Sequence, residues 1–159
     1  MTAMLKSAAL QPVTARPGSA GWPLSHVTPP VRALVESPAM MRPYIRAVLA
    51  EWGMRAMSVT AELVTTELVT NVVLAPVPDD QDDSREDRVP VFQLGMFSDR
   101  RLLLIEVFDT VPGEPRRQEA AADDESGRGL AIVEALSEGQ WGTRPHPRGK
   151  VVYARLRVT

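Results

Sequence analysis

The sequence predicts an α+β domain. Three observations carry this: two stretches with helical spacing early in the chain, a strand-turn-strand pattern in its middle, and a third helical stretch followed by two closing strands. With 159 residues, 44% hydrophobic and 24% charged, the chain fits one compact core and leaves little room for a second.

Residues 1–30 hold Pro12, Pro17, Pro23, Pro29 and Pro30 among small and polar side chains, with no acidic residue and no sustained period. This composition predicts a flexible N-terminal arm ahead of a single domain over residues 31–159. Val31-Arg32-Ala33-Leu34-Val35 reads as a first strand. Ser37-Pro38 then supplies an N-cap and a first helical position, and the first helix runs to Trp52 and stops at Gly53. Pro43 removes one backbone donor, so this helix either starts near it or bends there.

From Ser58 to Ala75 the pattern is again helical, with Val64, Leu68, Val72 and Ala75 on one apolar stripe. Glu67 and Asn71 lie four apart, on one face beside that stripe, with Leu63 and Leu74 on nearly the same face. A carboxylate and an amide in that setting are partly desolvated and need partners. Pro76 and Pro78 end the helix, and the six acidic side chains between residues 79 and 88 make a solvated loop.

Val91 to Phe97 and Arg101 to Phe108, joined by Ser98-Asp99-Arg100, read as a hairpin. Leu103, Ile105 and Val107 share a face, and counting by two puts Asp109 on it at the strand's end. Residues 110–126 are polar, with Pro112, Gly113 and Pro115, and read as a flexible flap. Gly127 to Leu136 is helical; the stretch around Trp141 and the run Val151 to Val158 are two closing strands about Gly149.

Composition excludes several functions. A net charge of -2 gives no basic field to hold nucleic acid. With no cysteine and only His26 and His146, disulfide frameworks, thiolate chemistry and nearly all zinc sites are excluded, and both histidines are expected at the surface. No apolar run approaches the ~20 residues of a membrane span, so a soluble cytoplasmic protein is expected. Gly127-Arg128-Gly129 lacks the third glycine of a dinucleotide fingerprint, and Gly149-Lys150 lacks the upstream glycine of a P-loop.

What remains is an ordered set of polar positions. Asn71 offers one hard oxygen of the kind Mg²⁺ takes alongside phosphate, and Glu67, one turn away, could orient and deprotonate an attacking hydroxyl. Asp109 is an acceptor suited to the exocyclic amine of adenine, with Gly113 allowing close backbone approach. Gly127 and Gly129 leave helix N-terminal amides open to phosphate, and Arg128 adds a charge-assisted contact. Each also has an ordinary reading as a solvated helix face, a turn or a loop-to-helix junction. The joint order and spacing point to a nucleotide.

In this order the segments resemble the GHKL ATPase superfamily, and within it the bacterial anti-sigma-factor serine kinase group. Glu67-Leu-Val-Thr-Asn71 is similar to its N box, Asp109 to Gly113 to the first glycine box, Gly127-Arg-Gly-Leu130 to the second, and Gly149-Lys150 to the last. The likeness extends from about Val31 to Val158. The resemblance implies a Bergerat ATP-binding fold, a two-layer α/β sandwich with a mostly antiparallel sheet and helices on one face. It also implies that ATP and Mg²⁺ are bound. Asn71 would hold the metal, Glu67 would be general base toward a partner's serine and Asp109 would read adenine. Gly113, Gly127, Arg128, Gly129 and Leu130 would frame the lid and phosphates. The implied partners are a sigma factor, an antagonist protein that is phosphorylated, and a second copy of the chain, with Leu34, Met40, Met41 and Tyr44 as candidate dimer contacts. The chain departs from the family pattern at Val72, Leu74, Ala75, Val111, where a glycine is usual, and Val151, where a hydroxyl often follows the last glycine. A catalytically weak binding module of the same fold is the alternative reading. A detached sensor-kinase domain is a third, for which no phosphoacceptor helix precedes the domain.

Overall fold

The structure, a computed structural model, describes residues 21–76, 89–111 and 128–159. Its elements run β1 (Leu24–Val27), β2 (Val31–Arg32), α1 (Ser37–Glu51), a 3₁₀ turn (Arg55–Met57), α2 (Ser58–Val73), β3 (Val91–Ser98), β4 (Leu102–Asp109), α3 (Arg128–Leu136), β5 (Trp141–His146) and β6 (Gly149–Arg157). The strands form one sheet in the order β1-β3-β4-β6-β5, with β2 also on β3 and every pairing antiparallel. This is the expected α+β class.

Strand alternation gives the sheet two unlike faces. Phe92, Leu94 and Met96 of β3, Leu103, Ile105 and Val107 of β4, and Val152, Ala154 and Leu156 of β6 stand in register across the ladders. They join Ile45 and Leu49 of α1, Val64, Leu68 and Val72 of α2, and Val133 of α3 in one core. The helices therefore cover one face of the sheet. On the opposite face Arg144 pairs with Glu106, and a cavity of about 10 Å³, room for a single water, lies among Val27, Gln93, Gly95, Glu106 and Phe108. Gln93 Oε1 has no hydrogen-bond partner among the described residues, while Gln93 Nε2 donates to the Thr28 carbonyl.

Helix α2 lies at the centre of the helical layer. It packs against α1 on one side and α3 on the other, and rests on β4 and β6. It contains no glycine or proline, and its Val64, Leu68 and Val72 recur at helical spacing toward the sheet. Pro76 follows its last hydrogen bonds, Leu74 N to Thr70 O and Ala75 N to Val72 O.

Helix α1 ends as its sequence asks. Gly53 takes φ 71°, its N–H donates to Ala50 O, and Met54 N donates to Leu49 O, the paired bonds of a Schellman cap. Arg100, at φ 71° in the β3–β4 turn, donates from Nη1 to Trp52 O and ties the hairpin to this cap. Asp99 Oδ1 accepts from Leu102 N and Arg101 N, and these amides hold its carboxyl below the ordinary range.

Four expectations are corrected. Residues 24–27, expected within the arm, form a strand: Leu24–Val27 pairs with Ser98 to Gly95 of β3 and Thr28 exchanges hydrogen bonds with Leu94. Prolines bar central strands but not a short edge strand that ends before Pro29. The strand expected over residues 31–35 has two residues, since the chain turns away after Ala33 N donates to Pro90 O. Ser37 does not cap α1. Its hydroxyl donates to Arg32 O and accepts from Leu34 N, bracing the β2–α1 turn, while Pro43 sits inside a helix that starts ahead of it. Both histidines are half-buried: His26 contacts the Tyr44 hydroxyl, and His146 meets Phe108 edge-on. Of the candidate dimer contacts, Leu34 and Met40 are exposed, Tyr44 is half-buried and Met41 lies in the core.

Because the Ser37 hydroxyl is buried with both hydrogen-bonding roles filled, Ser37→Ala should cost about 1–3 kcal/mol of stability, read by urea denaturation. A loss below a few tenths of a kcal/mol would show that this turn is held by other contacts.

Candidate functional site

Glu67 and Asn71 project from α2 at the rim of its buried stripe, and both are half-exposed. Neither side chain makes a hydrogen bond or ion pair among the described residues, although a carboxylate at the rim of a core ordinarily finds one. Burial alone pushes the Glu67 carboxyl above the ordinary carboxylate range.

What faces Glu67 is the start of α3. A Cβ on Gly129 would lie 2.5 Å from Glu67 Oε2, so the absence of a side chain at this position is what admits the carboxylate. The first turn of α3 thus presents Arg128, exposed, beside Gly129 and Leu130, both buried. Gly113 and Gly127 lie outside the described residues.

Asp109 ends β4 on the helix-covered face and is buried, as counting by two predicts. Its Oδ1 accepts from Val111 N at 2.8 Å and from Lys150 Nζ at 3.0 Å. Lys150 Nζ donates a second bond to Val111 O at 3.1 Å. Burial pushes the Asp109 carboxyl up; the Lys150 ammonium and the Val111 amide pull it back without cancelling that effect.

Lys150 reaches Asp109 because the two are ladder partners between β4 and β6. Gly149, one residue earlier, has φ 153°, and a Cβ there would lie 1.9 Å from Asp109 O. No side chain fits that gap. The register also corrects the expectation for Val151. Its ladder partners are Phe108 and Arg144 on the sheet's other face, so the residue after the last glycine that reaches the pocket is Lys150. Lys150 is the residue that the sequence reading underused. A lysine in phase with Val152, Ala154 and Leu156 was the available signal.

The structure therefore brings Glu67 against Gly129, both predicted from sequence, and pairs the predicted Asp109 with Lys150, which was not; both contacts are built around α2 and the β4–β6 ladder it rests on. Val111 is half-buried against the core, where its backbone rather than its side chain serves Asp109.

Two substitutions check this geometry. Gly149→Ala meets backbone at a strained φ and should cost roughly 3 kcal/mol or more, whereas Gly129→Ala meets only the movable end of Glu67 and should cost far less. Comparable losses would contradict the contrast. For Glu67, a carboxyl raised by folding stabilises the fold while protonated, and that contribution is lost as pH rises from the ordinary carboxylate range through the raised value. Glu67→Gln should therefore raise Tm near neutral pH and leave it nearly unchanged in acid; a lowered Tm near neutral pH would mean that Glu67 has a stabilising partner.

No protein-family model matches the chain, and no curated protein matches it. Its function is read from the residues above.

Proposed function

We propose that the chain is an ATP-binding regulator of the anti-sigma-factor serine kinase type, in a Bergerat-type fold, which binds a sigma factor and phosphorylates an antagonist protein. The observation that carries this reading is the Glu67/Asn71 pair on α2, without partners among the described residues, with the Glu67 carboxylate set against Gly129 at the start of α3. A fold that leaves a half-buried carboxylate and an amide without partners gives up stability at that place, which is the signature of groups reserved for a ligand.

The residues fit Mg²⁺ and a nucleotide in part. Among the described residues no group of three or more acidic or histidine side chains could hold a metal ion. Asn71 would thus hold Mg²⁺ as one protein oxygen beside those of phosphate, a sparse ligand set that suits this cation. The bound ion would neutralise phosphate charge. Glu67, with its raised pKa, would accept the proton of the attacking hydroxyl, and α3 with Arg128 would hold phosphate oxygens. At the base end the fit is incomplete, since Asp109 already has Lys150 as its cation.

That ion pair is also the observation favouring the second reading, a catalytically weak binding module that acts through its surfaces. In either case the chain works through protein partners, and among the described residues no helix is long and apolar enough to cross a membrane.

Calorimetry and phosphotransfer assays separate the readings. Asn71→Ala should lower Mg²⁺-dependent ATP affinity by about tenfold or more, the worth of one charge-assisted contact. Glu67→Gln should leave ATP affinity nearly intact and slow phosphate transfer to the cognate antagonist by about 10²–10⁴-fold. Sigma-factor binding with no transfer by the parent protein would replace the kinase reading with the binding-module one. ATP affinity indifferent to Mg²⁺ and to Asn71 would remove the metal role.

A further inference from the structure

We propose that Lys150 is the affinity- and specificity-determining residue of the base subsite, an internal cation that occupies the Asp109 carboxylate in place of a nucleobase amine. The inference rests on the nucleotide-binding reading above and names what regulates that same site.

The geometry leaves little choice about what Lys150 does. Its ammonium lies 3.0 Å from Asp109 Oδ1 and 3.1 Å from Val111 O, so two of its three donors are spent inside the protein. Oδ1 also receives Val111 N. The other oxygen, Oδ2, accepts nothing among the described residues, yet the Asp109 side chain is only 2% exposed and that of Lys150 10%. A nucleobase amine at Asp109 would therefore compete with Lys150 for the carboxylate.

Withdrawal is a side-chain event. Gly149 lets the start of β6 lie close against the Asp109 carbonyl, and the ladder pairs Lys150 with Asp109 along its backbone, so parting the strands would break that pairing. Rotation about the flexible lysine stem is what remains.

Selectivity follows from the exchange. An adenine amine arriving at Asp109 trades a charge-assisted lysine bond for one from a neutral donor, and gains little over a base that makes no such contact. The parent protein should bind ATP and GTP within a few-fold of each other. With Lys150 replaced by threonine the carboxylate is free for the amine, which only adenine presents at that position. ATP affinity should rise by about tenfold or more while GTP affinity stays flat, since a hydrogen bond to a charged group is worth that much.

The test is calorimetry on the full chain with Mg²⁺ and either ATP or GTP, comparing the parent, Lys150→Thr and the double variant Lys150→Thr/Asp109→Asn. A gain for ATP alone, lost again in the double variant, is the expected result. Unchanged or weakened ATP binding in Lys150→Thr overturns the role of Lys150 and leaves the nucleotide reading standing; an equal gain for both nucleotides overturns its part in specificity. No ATP binding by parent or variant overturns the nucleotide reading, and this inference with it. Because Lys150→Thr strands a buried carboxylate, a second readout uses the parent protein alone. The ¹⁵N ammonium signal of Lys150 should be protected in the free protein and lose that protection at saturating Mg·ATP; a signal unmoved by saturating nucleotide overturns the proposal even if the variant does not fold.

Discussion

A carboxylate and an ammonium almost withdrawn from water face each other across the β4–β6 ladder, and much of the fold is arranged so that they can. Either charge alone at that depth would be strongly unfavourable, so Asp109 and Lys150 are each tolerable only because of the other. Their meeting needs β6 to begin hard against the end of β4, which only a glycine at position 149 permits. It also needs the apolar residues that follow, Val152, Ala154 and Leu156, to keep Lys150 in phase with the buried face. The ion pair is thus tied to the sheet register, and the register to the core.

Helix α2 meets the sheet beside this pair and carries the other half of the site. Its stripe of Val64, Leu68 and Val72 is committed to the core, which fixes where Glu67 and Asn71 must point. The two halves are physically unlike. At the β4–β6 end the buried Asp109 has Lys150, while on α2 Glu67 and Asn71 have no partner among the described residues. The contrast is the basis for proposing that Glu67 and Asn71 serve a ligand while the Asp109–Lys150 pair holds the sheet end together.

Much of this could be read in the sequence because long periodic segments leave few alternatives. Helix α2 has no glycine or proline and keeps one apolar period from Val64 to Val72, and the β3–β4 hairpin alternates cleanly enough that counting by two puts Asp109 inward. The N-terminal strand was hidden because four residues between prolines show no period, and its pairing with β3 depends on partners some seventy residues away. The Glu67–Gly129 contact is tertiary, and nothing local to either residue announces it. Lys150 was missed for a different reason. Lysines are expected in water, and only the non-sequential pairing of β4 with β6 reveals that this one faces a buried carboxylate.

The central proposal is one nucleotide site formed by α2, the first turn of α3 and the Asp109–Lys150 pair. A crystal structure of the chain with Mg²⁺ and a non-hydrolysable ATP analogue tests this most directly. The base should lie at Asp109 with the Lys150 side chain swung away, the phosphates at the α3 N-terminus, and the metal on the Asn71 oxygen. A nucleotide bound elsewhere, or one bound with the Asp109–Lys150 pair intact and Asn71 untouched, would contradict the claim.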